Sequence, residues 1–170
     1  MAGIYIHIPF CRAKCRYCDF TSYPGKIGFA EAYMACVYKE MKLRSAELRE
    51  KTFDTVYFGG GTPSVIDAKW IGGCMNQLRR CYVLAEDAEV TIEINPGTAE
   101  RSKIDAYKKA GIRRFSVGLQ VANDALLEDV GRVHTVADFV ETCRLIGTEN
   151  FSADAMIGLK GQTFADIERT

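Results

Sequence analysis

The feature that most constrains the fold is an alternation of short apolar segments with longer segments of helical periodicity. Extended segments are predicted at residues 3–8, 54–59, 89–95, 113–119 and 151–157. Between them, apolar residues recur at helical spacing from Phe29 to Met41, from Trp70 to Cys81, from Ile104 to Ala110 and from Phe139 to Ile146. Repeated β–α units predict a parallel sheet with outer helices, and crossovers of one hand curl such a sheet toward a barrel.

Capping residues support these helix boundaries. Serine, threonine and aspartate favour the start of a helix, and glycine favours the residue after its end. The start signals are Ser64, Asp67, Thr135, Asp138 and Thr163, and the stop signals are Gly111 and Gly147. The predicted helices therefore fit between the predicted strands.

Only one face of each predicted strand is apolar. Ile4, Ile6 and Ile8 share one face of the first strand, whereas Tyr5 and His7 share the other. The same alternation gives later strands a polar face made of Thr91, Glu93, Asn95, Ser116, Gly118, Gln120, Ser152, Asp154 and Met156. We expect the apolar faces to meet the helices and the polar faces to line a binding chamber. The alternative, a sheet face covered by solvent, is disfavoured because crossovers rarely leave a parallel sheet face bare.

Five strands are too few to close an eight-stranded barrel. The predicted fold class is therefore α/β, a partial open (β/α) barrel of parallel strands with outer helices. Either the barrel is truncated or the sheet stays an open arc.

Composition narrows the class of protein. The chain has 170 residues, a formal net charge of zero and 48% hydrophobic residues, as in a globular domain. Zero net charge disfavours a nucleic-acid partner, and no apolar run approaches the length of a membrane span. The N-terminus lacks the features of a signal peptide, and seven cysteines is an odd number. We therefore expect reducing cytosol, where clustered cysteines indicate metal or redox chemistry.

Three of the cysteines lie close together after the first predicted strand. Cys11, Cys15 and Cys18 are spaced C-x3-C-x2-C. One interpretation is a core helix face, since this spacing repeats on one side of a helix, although the flanking residues favour a loop. A second is zinc with His7 as fourth ligand, but a second ligand pair is missing. The other cysteines, Cys36, Cys74, Cys81 and Cys143, fall at apolar positions of helical patterns and are predicted to be core.

The third interpretation is an iron–sulfur cluster. A [4Fe–4S] cluster normally takes four thiolates, so three would leave one iron open for a substrate or cofactor. Arg12, Lys14 and Arg16 lie between the cysteines and would favour the thiolate forms. Alternatively, these three residues are only solvated loop charges.

The spacing C-x3-C-x2-C after the first strand of a β/α barrel resembles the radical S-adenosylmethionine superfamily. The motifs "YIHIPFC", "YFGGGTPS", "EINPGT", "GLQ", "GRVHT" and "DAMIGLKGQT" are similar to those of the branch that contains oxygen-independent coproporphyrinogen III oxidase and a related haem chaperone. The resemblance implies that the open iron is chelated by S-adenosylmethionine and that an electron from the cluster splits its sulfonium. It also implies that residues 1–170 are the N-terminal part of the core domain, without the remaining barrel and the C-terminal domain.

The resemblance also implies cofactor-binding residues. Gly60, Gly61 and Thr62 follow the second strand, where glycine lets the backbone approach a ligand, and they would hold the methionine ammonium. Glu93 is a lumen carboxylate suited to ribose hydroxyls, and its alternative is a pair with a lumen arginine. Arg132 would hold the methionine carboxylate.

Four further residues are assigned less directly. Gln120 and Asp154 are expected at one level on neighbouring strands. Tyr5 and Tyr17 flank the cluster loop, and Tyr17 lies where it could stack near the adenine. Alternatively, both tyrosines only pack.

The resemblance leaves two functions open. The oxidase usually has a further cysteine two positions after the third, but here Asp19 and Phe20 follow Cys18. This difference favours the haem chaperone over the radical decarboxylation of coproporphyrinogen III in porphyrin biosynthesis. The chain's only histidines are His7 and His134, so a haem site is expected outside it. A flavodoxin-like reductant is a further candidate partner, and the sequence leaves open whether it docks at the basic cysteine loop.

Overall fold

The computed structural model describes residues 2–48, 52–147 and 150–170. The strands are β1 Gly3–Ile8, β2 Phe10–Cys11, β3 Tyr23–Pro24, β4 Thr52–Gly60, β5 Val83–Ile94, β6 Arg114–Gln120 and β7 Phe151–Ala155. The helices are α1 Ala30–Ser45, α2 Ala68–Cys81, α3 Arg101–Ala110, α4 Asp124–Asp129, α5 Val136–Ile146 and α6 Phe164–Arg169, with short 3-10 turns at Ile27–Phe29 and Pro63–Val65. The two-residue strands β2 and β3 pair with each other, and the other strands form the main sheet.

The main sheet has the order β1-β4-β5-β6-β7, and every neighbouring pair is parallel. Each strand therefore lies beside the next main strand in sequence, as successive crossovers of one hand require. Within the described residues the sheet is an open arc with β1 and β7 at its edges. This arrangement confirms the predicted α/β class with parallel strands and outer helices.

The core lies between the sheet and the helices. Ile8, Phe58, Ile92 and Val117 of successive strands are fully or almost fully buried. They belong to one cluster with residues of the covering helices, namely Met34, Ile71, Cys74, Leu78, Ile104 and Tyr107. The apolar faces of the first four main strands therefore meet the helices as predicted.

The last strand departs from this pattern. Ala153 and Ala155 of β7 are exposed, and Ile157 after the strand is 77% exposed. Alternation correctly predicted that they share a face, but it cannot show whether a helix covers that face. The predicted burial of this part of the apolar face is not found in the described residues.

The helix ends largely follow the capping residues. Asp67 caps α2, and both Thr135 and Thr163 form capping boxes with the aspartates three residues later. Gly111 and Gly147 take left-handed conformations after α3 and α5. Ser64 is different, because it lies fully buried in the Pro63–Val65 turn rather than at a helix start.

Some elements differ from the sequence prediction. The strand β5 begins at Val83, six residues before the predicted start, because its first residues pair with Thr52 and Phe53. The short helix α4 was not predicted. Cys74 is buried as expected and Cys36 is exposed, so the prediction that Cys36 is core is wrong. Helical spacing identified a shared face but not which face packs.

No helix of the described residues is long and apolar enough to cross a membrane.

Truncating a buried strand residue and truncating an exposed helix residue should change the free energy of unfolding by very different amounts. Ile92 has no exposed surface, so Ile92→Ala should lower the free energy of unfolding by about 2–5 kcal/mol. Leu43 on α1 is 66% exposed, so Leu43→Ala should change it by less than about 0.5 kcal/mol. Urea-induced unfolding of both variants measures the difference, and equal losses would contradict the assigned core.

Candidate functional site

The three clustered cysteines lie in a loop and not on a helix, so the core-helix interpretation is wrong. Cys11 ends β2, and Cys15 and Cys18 follow in irregular structure. Backbone bonds hold both ends of this loop. The Tyr23 N–H donates to the Pro9 carbonyl at 2.7 Å, and the Thr62 N–H donates to the Phe10 carbonyl at 2.7 Å. The loop is therefore fixed against the mouth of the sheet.

The basic residues of the loop bind backbone carbonyls. Arg12 donates to the Gly97 carbonyl at 3.3 Å, and Lys14 donates to the Phe20 carbonyl at 2.6 Å. Arg16 donates to the Asp129 carbonyl at 2.7 Å. These side chains are exposed, but they are not only solvated charges, because they tie the loop to itself, to the turn after β5 and to α4.

A cavity of about 730 Å³ opens between the cysteine loop and the ends of the strands. Its lining contains every predicted site residue except Tyr5, namely Cys11, Cys15, Tyr17, Cys18, Gly60, Gly61, Thr62, Glu93, Gln120, Arg132 and Asp154. Of the residues predicted on the polar faces of the later strands, six line this chamber, whereas Thr91, Ser152 and Met156 do not. A volume of this size is within the range of small-molecule and cofactor sites.

The glycine turn after β4 lies against the cysteine loop. A Cβ atom on Gly61 would come within 2.7 Å of the Phe10 carbonyl oxygen and 3.0 Å of Cys11 Sγ. Gly60 has a φ of +116°, and a Cβ there would lie 2.5 Å from Nδ1 of His7. Only glycine fits at both positions, and the backbone is thereby exposed to the cavity next to a thiol.

Glu93 lines the cavity, and both of its carboxylate oxygens accept hydrogen bonds. Tyr57 donates its hydroxyl proton to Oε1 at 2.9 Å, and the Gly60 N–H donates to Oε2 at 3.2 Å. Burial raises the pKa of Glu93 above its ordinary value of 4.5, although these two hydrogen bonds oppose the shift. Among the described residues its partners are therefore Tyr57 and Gly60, and not the lumen arginine of the alternative interpretation.

Tyr57 keeps its proton at neutral pH. Burial, with the nearby Glu93 carboxylate, raises the pKa of Tyr57 to about 12. The hydroxyl is therefore a fixed donor to Glu93, and it orients the carboxylate across the cavity wall.

Arg132 also lines the cavity, and all five of its N–H groups have partners. Nη2 donates to Asn95 Oδ1 and to the Gly118 carbonyl, both at 2.9 Å, and Nε donates to His134 Nδ1 at 3.3 Å. Nη1 makes two longer contacts, at 3.3 Å to the Tyr17 hydroxyl and at 3.7 Å to Cys15 Sγ. The guanidinium is thus anchored on one side and directed at the cysteine loop on the other.

Two groups beside Arg132 have shifted pKa values. Burial raises the pKa of Tyr17 to about 12, so its phenol stays neutral. Burial, followed by the Arg132 charge, lowers the pKa of His134 to about 4. His134 is therefore neutral at physiological pH, and its Nδ1 can accept the hydrogen bond that Arg132 Nε donates.

The expectation that Gln120 and Asp154 lie at one level is wrong. Asp154 pairs with Gly118, and Gln120 pairs with Ala155 after a shift of register. Gln120 has a φ of +73°, a left-handed conformation that is uncommon for a side chain larger than glycine. Both residues still line the cavity, and the Ser116 hydroxyl lies 3.4 Å from the Asp154 carboxylate oxygens.

Tyr5 lies beside the cavity and does not line it. Its ring stacks on Tyr57 with centroids 6.1 Å apart, and its hydroxyl lies 3.1 Å from His7 Nδ1. The other ring nitrogen of His7 lies 2.8 Å from the Thr21 carbonyl oxygen. Because both nitrogens are engaged, His7 is not placed as the fourth ligand of the zinc interpretation.

The thiol arrangement differs from a single-ion site. The described residues contain no group of three His, Cys, Asp or Glu side chains placed to hold one metal ion. A [4Fe–4S] cluster binds each cysteine through a different iron, so its thiols need not converge on one point. The donor set and the adjoining cavity fit such a cluster.

Three residues of the site were not assigned roles from the sequence. Tyr57 alternates with the buried Val56 and Phe58, so strand periodicity could have placed it on the lumen side. Asn95 was on the predicted polar face, but its partners depend on distances between strands. His134 lies two residues after Arg132, and only the structure shows their contact.

Comparisons with known proteins show the family of the chain. Residues 5–170 match the profile of the family described as the Radical SAM superfamily. A protein named "Heme chaperone HemW" from Buchnera aphidicola subsp. Schizaphis graminum (strain Sg) is 36% identical over 169 residues, 97% of this chain and 45% of that protein. The protein of that name from Bacillus subtilis (strain 168) is 36% identical over 174 residues, 100% of this chain and 46% of that protein.

Solved structures share the fold. Coproporphyrinogen III oxidase (HemN) from Escherichia coli, a radical SAM enzyme, superposes with a TM-score of 0.92 at 25% identity, over 99% of this chain and 40% of that one. The radical S-adenosylmethionine methyltransferase TsrM from Kitasatospora setae has a TM-score of 0.65 at 16% identity, over 99% of this chain and 33% of that one.

The match to the family profile covers almost the whole chain, although the chain spans only about half the length of the curated relatives. The sequence motifs, the parallel sheet and the cysteine-lined cavity are consistent with that match. The chain belongs to the radical SAM superfamily.

Proposed function

We propose that Cys11, Cys15 and Cys18 each bind one iron of a [4Fe–4S] cluster and that the adjoining cavity binds S-adenosylmethionine. Membership in the radical SAM superfamily implies both cofactors. The observation that carries the residue assignment is that all three cysteines open onto one cavity with Glu93 and the glycine turn. With both cofactors bound, the site would supply one-electron reductive cleavage of the sulfonium.

The protein's contribution is to bind and orient the cofactor. The exposed backbone at Gly60 and Gly61, with Thr62, supports a role in holding the methionine ammonium beside Cys11. The Glu93 carboxylate, oriented by Tyr57, is an acceptor for the ribose hydroxyls.

Arg132 is proposed to hold the methionine carboxylate through Nη1. Its 3.3 Å contact to the Tyr17 hydroxyl can be exchanged for the stronger carboxylate acceptor, while Nη2 stays anchored and the other Nη1 hydrogen still faces Cys15. Tyr17 is placed for the adenine, and Gln120 and Asp154 offer polar groups farther along the cavity. Tyr5 does not line the cavity, and its proposed role is to support the ring of Tyr57, on which it stacks.

For the whole protein we propose a haem chaperone that delivers haem to other proteins. Two relatives at 36% identity carry the name "Heme chaperone HemW". Phe20 supports this choice, because it lines the cavity two positions after Cys18, where the oxidase usually has a cysteine. A haem site in this protein would lie outside the 170 residues.

The alternative is an oxidase that decarboxylates coproporphyrinogen III. It is favoured by the TM-score of 0.92 to coproporphyrinogen III oxidase.

In both cases a flavodoxin-like reductant is proposed to dock on the exposed Arg12, Lys14 and Arg16. All seven cysteines are free thiols, which supports a location in the reducing cytosol.

Removing one proposed ligand should abolish the cluster without unfolding the protein. Cys15→Ala should lose the bound iron, because two loop thiolates cannot hold the cluster, while the apolar core is untouched. The exposed Cys36 provides the matched control, and Cys36→Ala should keep about four irons per chain. Anaerobic iron and sulfide analysis with circular dichroism measures both, and full iron in Cys15→Ala would contradict the assignment.

Glu93→Gln should weaken S-adenosylmethionine binding about ten- to a hundred-fold, because a hydrogen bond to a charged group contributes about 1.5–3 kcal/mol. The exposed Glu86 lies on the same strand, and Glu86→Gln should leave the affinity unchanged. Equilibrium dialysis of the cluster-loaded protein measures both affinities. A wild-type affinity of the Glu93→Gln variant for S-adenosylmethionine would contradict this role.

The same residue predicts a pH dependence. The pKa of Glu93 is raised, so it gains a proton at a higher pH than an exposed glutamate does. The affinity of the wild-type protein should therefore fall as the pH is lowered through this raised pKa, and Glu93→Gln should lack the fall.

Chaperone and oxidase can be separated with the full-length protein. The chaperone predicts stoichiometric haem binding, seen as an absorption titration that saturates near one haem per chain, without consumption of coproporphyrinogen III. Multiple turnovers of coproporphyrinogen III, with S-adenosylmethionine consumed, would instead establish the oxidase.

A further inference from the structure

Asn95 links Thr62 and Arg132, which both line the cavity, through the two ends of its side-chain amide. Nδ2 donates to Thr62 Oγ1 at 2.8 Å, and Oδ1 accepts from Arg132 Nη2 at 2.9 Å. Asn95 directly follows β5, on the lumen side with Glu93. It is therefore placed between the glycine turn and the arginine that faces the cysteine loop.

Each partner of Asn95 in turn reaches a different cysteine. Thr62 Oγ1 lies 3.6 Å from Cys11 Sγ, and Arg132 Nη1 lies 3.7 Å from Cys15 Sγ. One amide thus connects to both ends of the C-x3-C segment.

The amide has one orientation that satisfies both neighbours. A guanidinium can only donate, so the oxygen of Asn95 must face Arg132 and the NH2 group must face Thr62. Thr62 then accepts from Asn95, and its own proton is available to donate to Cys11 Sγ. The donor and the acceptor of each hydrogen bond from Arg132 through Asn95 and Thr62 to Cys11 are therefore fixed, because Arg132 can only donate.

The position of Asn95 is fixed by its surroundings. Its backbone N–H donates to Ser64 Oγ at 3.4 Å, and its carbonyl accepts from the Thr98 N–H at 3.1 Å. Ser64 and Thr98 are both buried. A Cβ atom on Gly118 would lie 3.2 Å from Asn95 Oδ1, so the sheet approaches the amide closely.

We propose that Asn95 is a positioning residue that directs one hydrogen-bond donor at Cys11 Sγ, through Thr62, and one at Cys15 Sγ, through Arg132. This inference rests on the proposed function, in which both sulfurs bind iron. Hydrogen bonds to the cysteine sulfurs of an iron–sulfur cluster help to set its reduction potential. Donors stabilise the more negative reduced state, so Asn95 raises the potential.

The test compares reduction potentials of the cluster-loaded, full-length protein by anaerobic titration followed by electron paramagnetic resonance. Asn95→Ala releases both donors and should lower the potential most. Thr62→Val removes only the donor to Cys11 and should lower it less, whereas Thr62→Ser keeps the hydroxyl and should retain the wild-type value. Asn76 is exposed on α2, and Asn76→Ala is the matched control that should leave the potential unchanged.

A second readout is the affinity for S-adenosylmethionine. Asn95→Ala should weaken it about ten-fold, because Arg132 loses one hydrogen bond that orients its guanidinium. Wild-type potentials in both Asn95→Ala and Thr62→Val would overturn the inference, as would a fall in Thr62→Ser equal to that in Thr62→Val. If Asn95→Ala does not load iron, the reduction potentials of Thr62→Val and Thr62→Ser test the inference. A wild-type protein without a cluster would instead overturn the proposed function.

Discussion

The helices cover one face of the parallel sheet, and this one-sided burial determines where the polar residues lie. Ile8, Phe58, Ile92 and Val117 are buried beneath the helices. Since side chains alternate along a strand, Tyr57, Glu93 and Gly118 must then face the inside of the arc. The cavity therefore follows from the burial of the apolar strand faces beneath the helices. The polar groups that line it converge because side chains alternate along each strand, and no long-range signal in the sequence is needed.

Loops at the carboxyl ends of the strands complete the site. The cysteine loop after β1, the glycine turn after β4 and Asn95 after β5 meet at the same edge of the sheet, as parallel strands require. Arg132 connects the cysteine loop with Asn95 and Gly118, and Asn95 in turn bonds to Thr62 after the glycine turn. Burial of Glu93 and Tyr17 shifts their pKa values upward, which is typical of a functional cavity.

Much of this architecture could be predicted from the sequence, because it depends on local patterns. Period-two alternation located the strands, capping residues located most helix ends, and the C-x3-C-x2-C motif located the loop. The early start of β5, the exposure of Cys36 and the register shift at Gln120 could not be predicted. Each depends on which neighbour packs or pairs, and the sequence pattern is the same in either case.

The roles within the site divide in the same way. The roles of Glu93 and Arg132 are predictions from residue type, position and family resemblance, and the structure adds that both residues line the cavity. The donor role of Tyr57, the bridging amide of Asn95 and the contact between His134 and Arg132 depend on distances of a few ångströms between separate elements.

The most direct test of the proposed cluster and cofactor sites is an electron paramagnetic resonance spectrum of the reduced, reconstituted protein, with and without S-adenosylmethionine. The predicted result is a [4Fe–4S] signal that changes when S-adenosylmethionine is added, because the cofactor binds the open iron. A cluster signal that is identical with and without S-adenosylmethionine, or bound zinc in place of iron, would contradict the proposal.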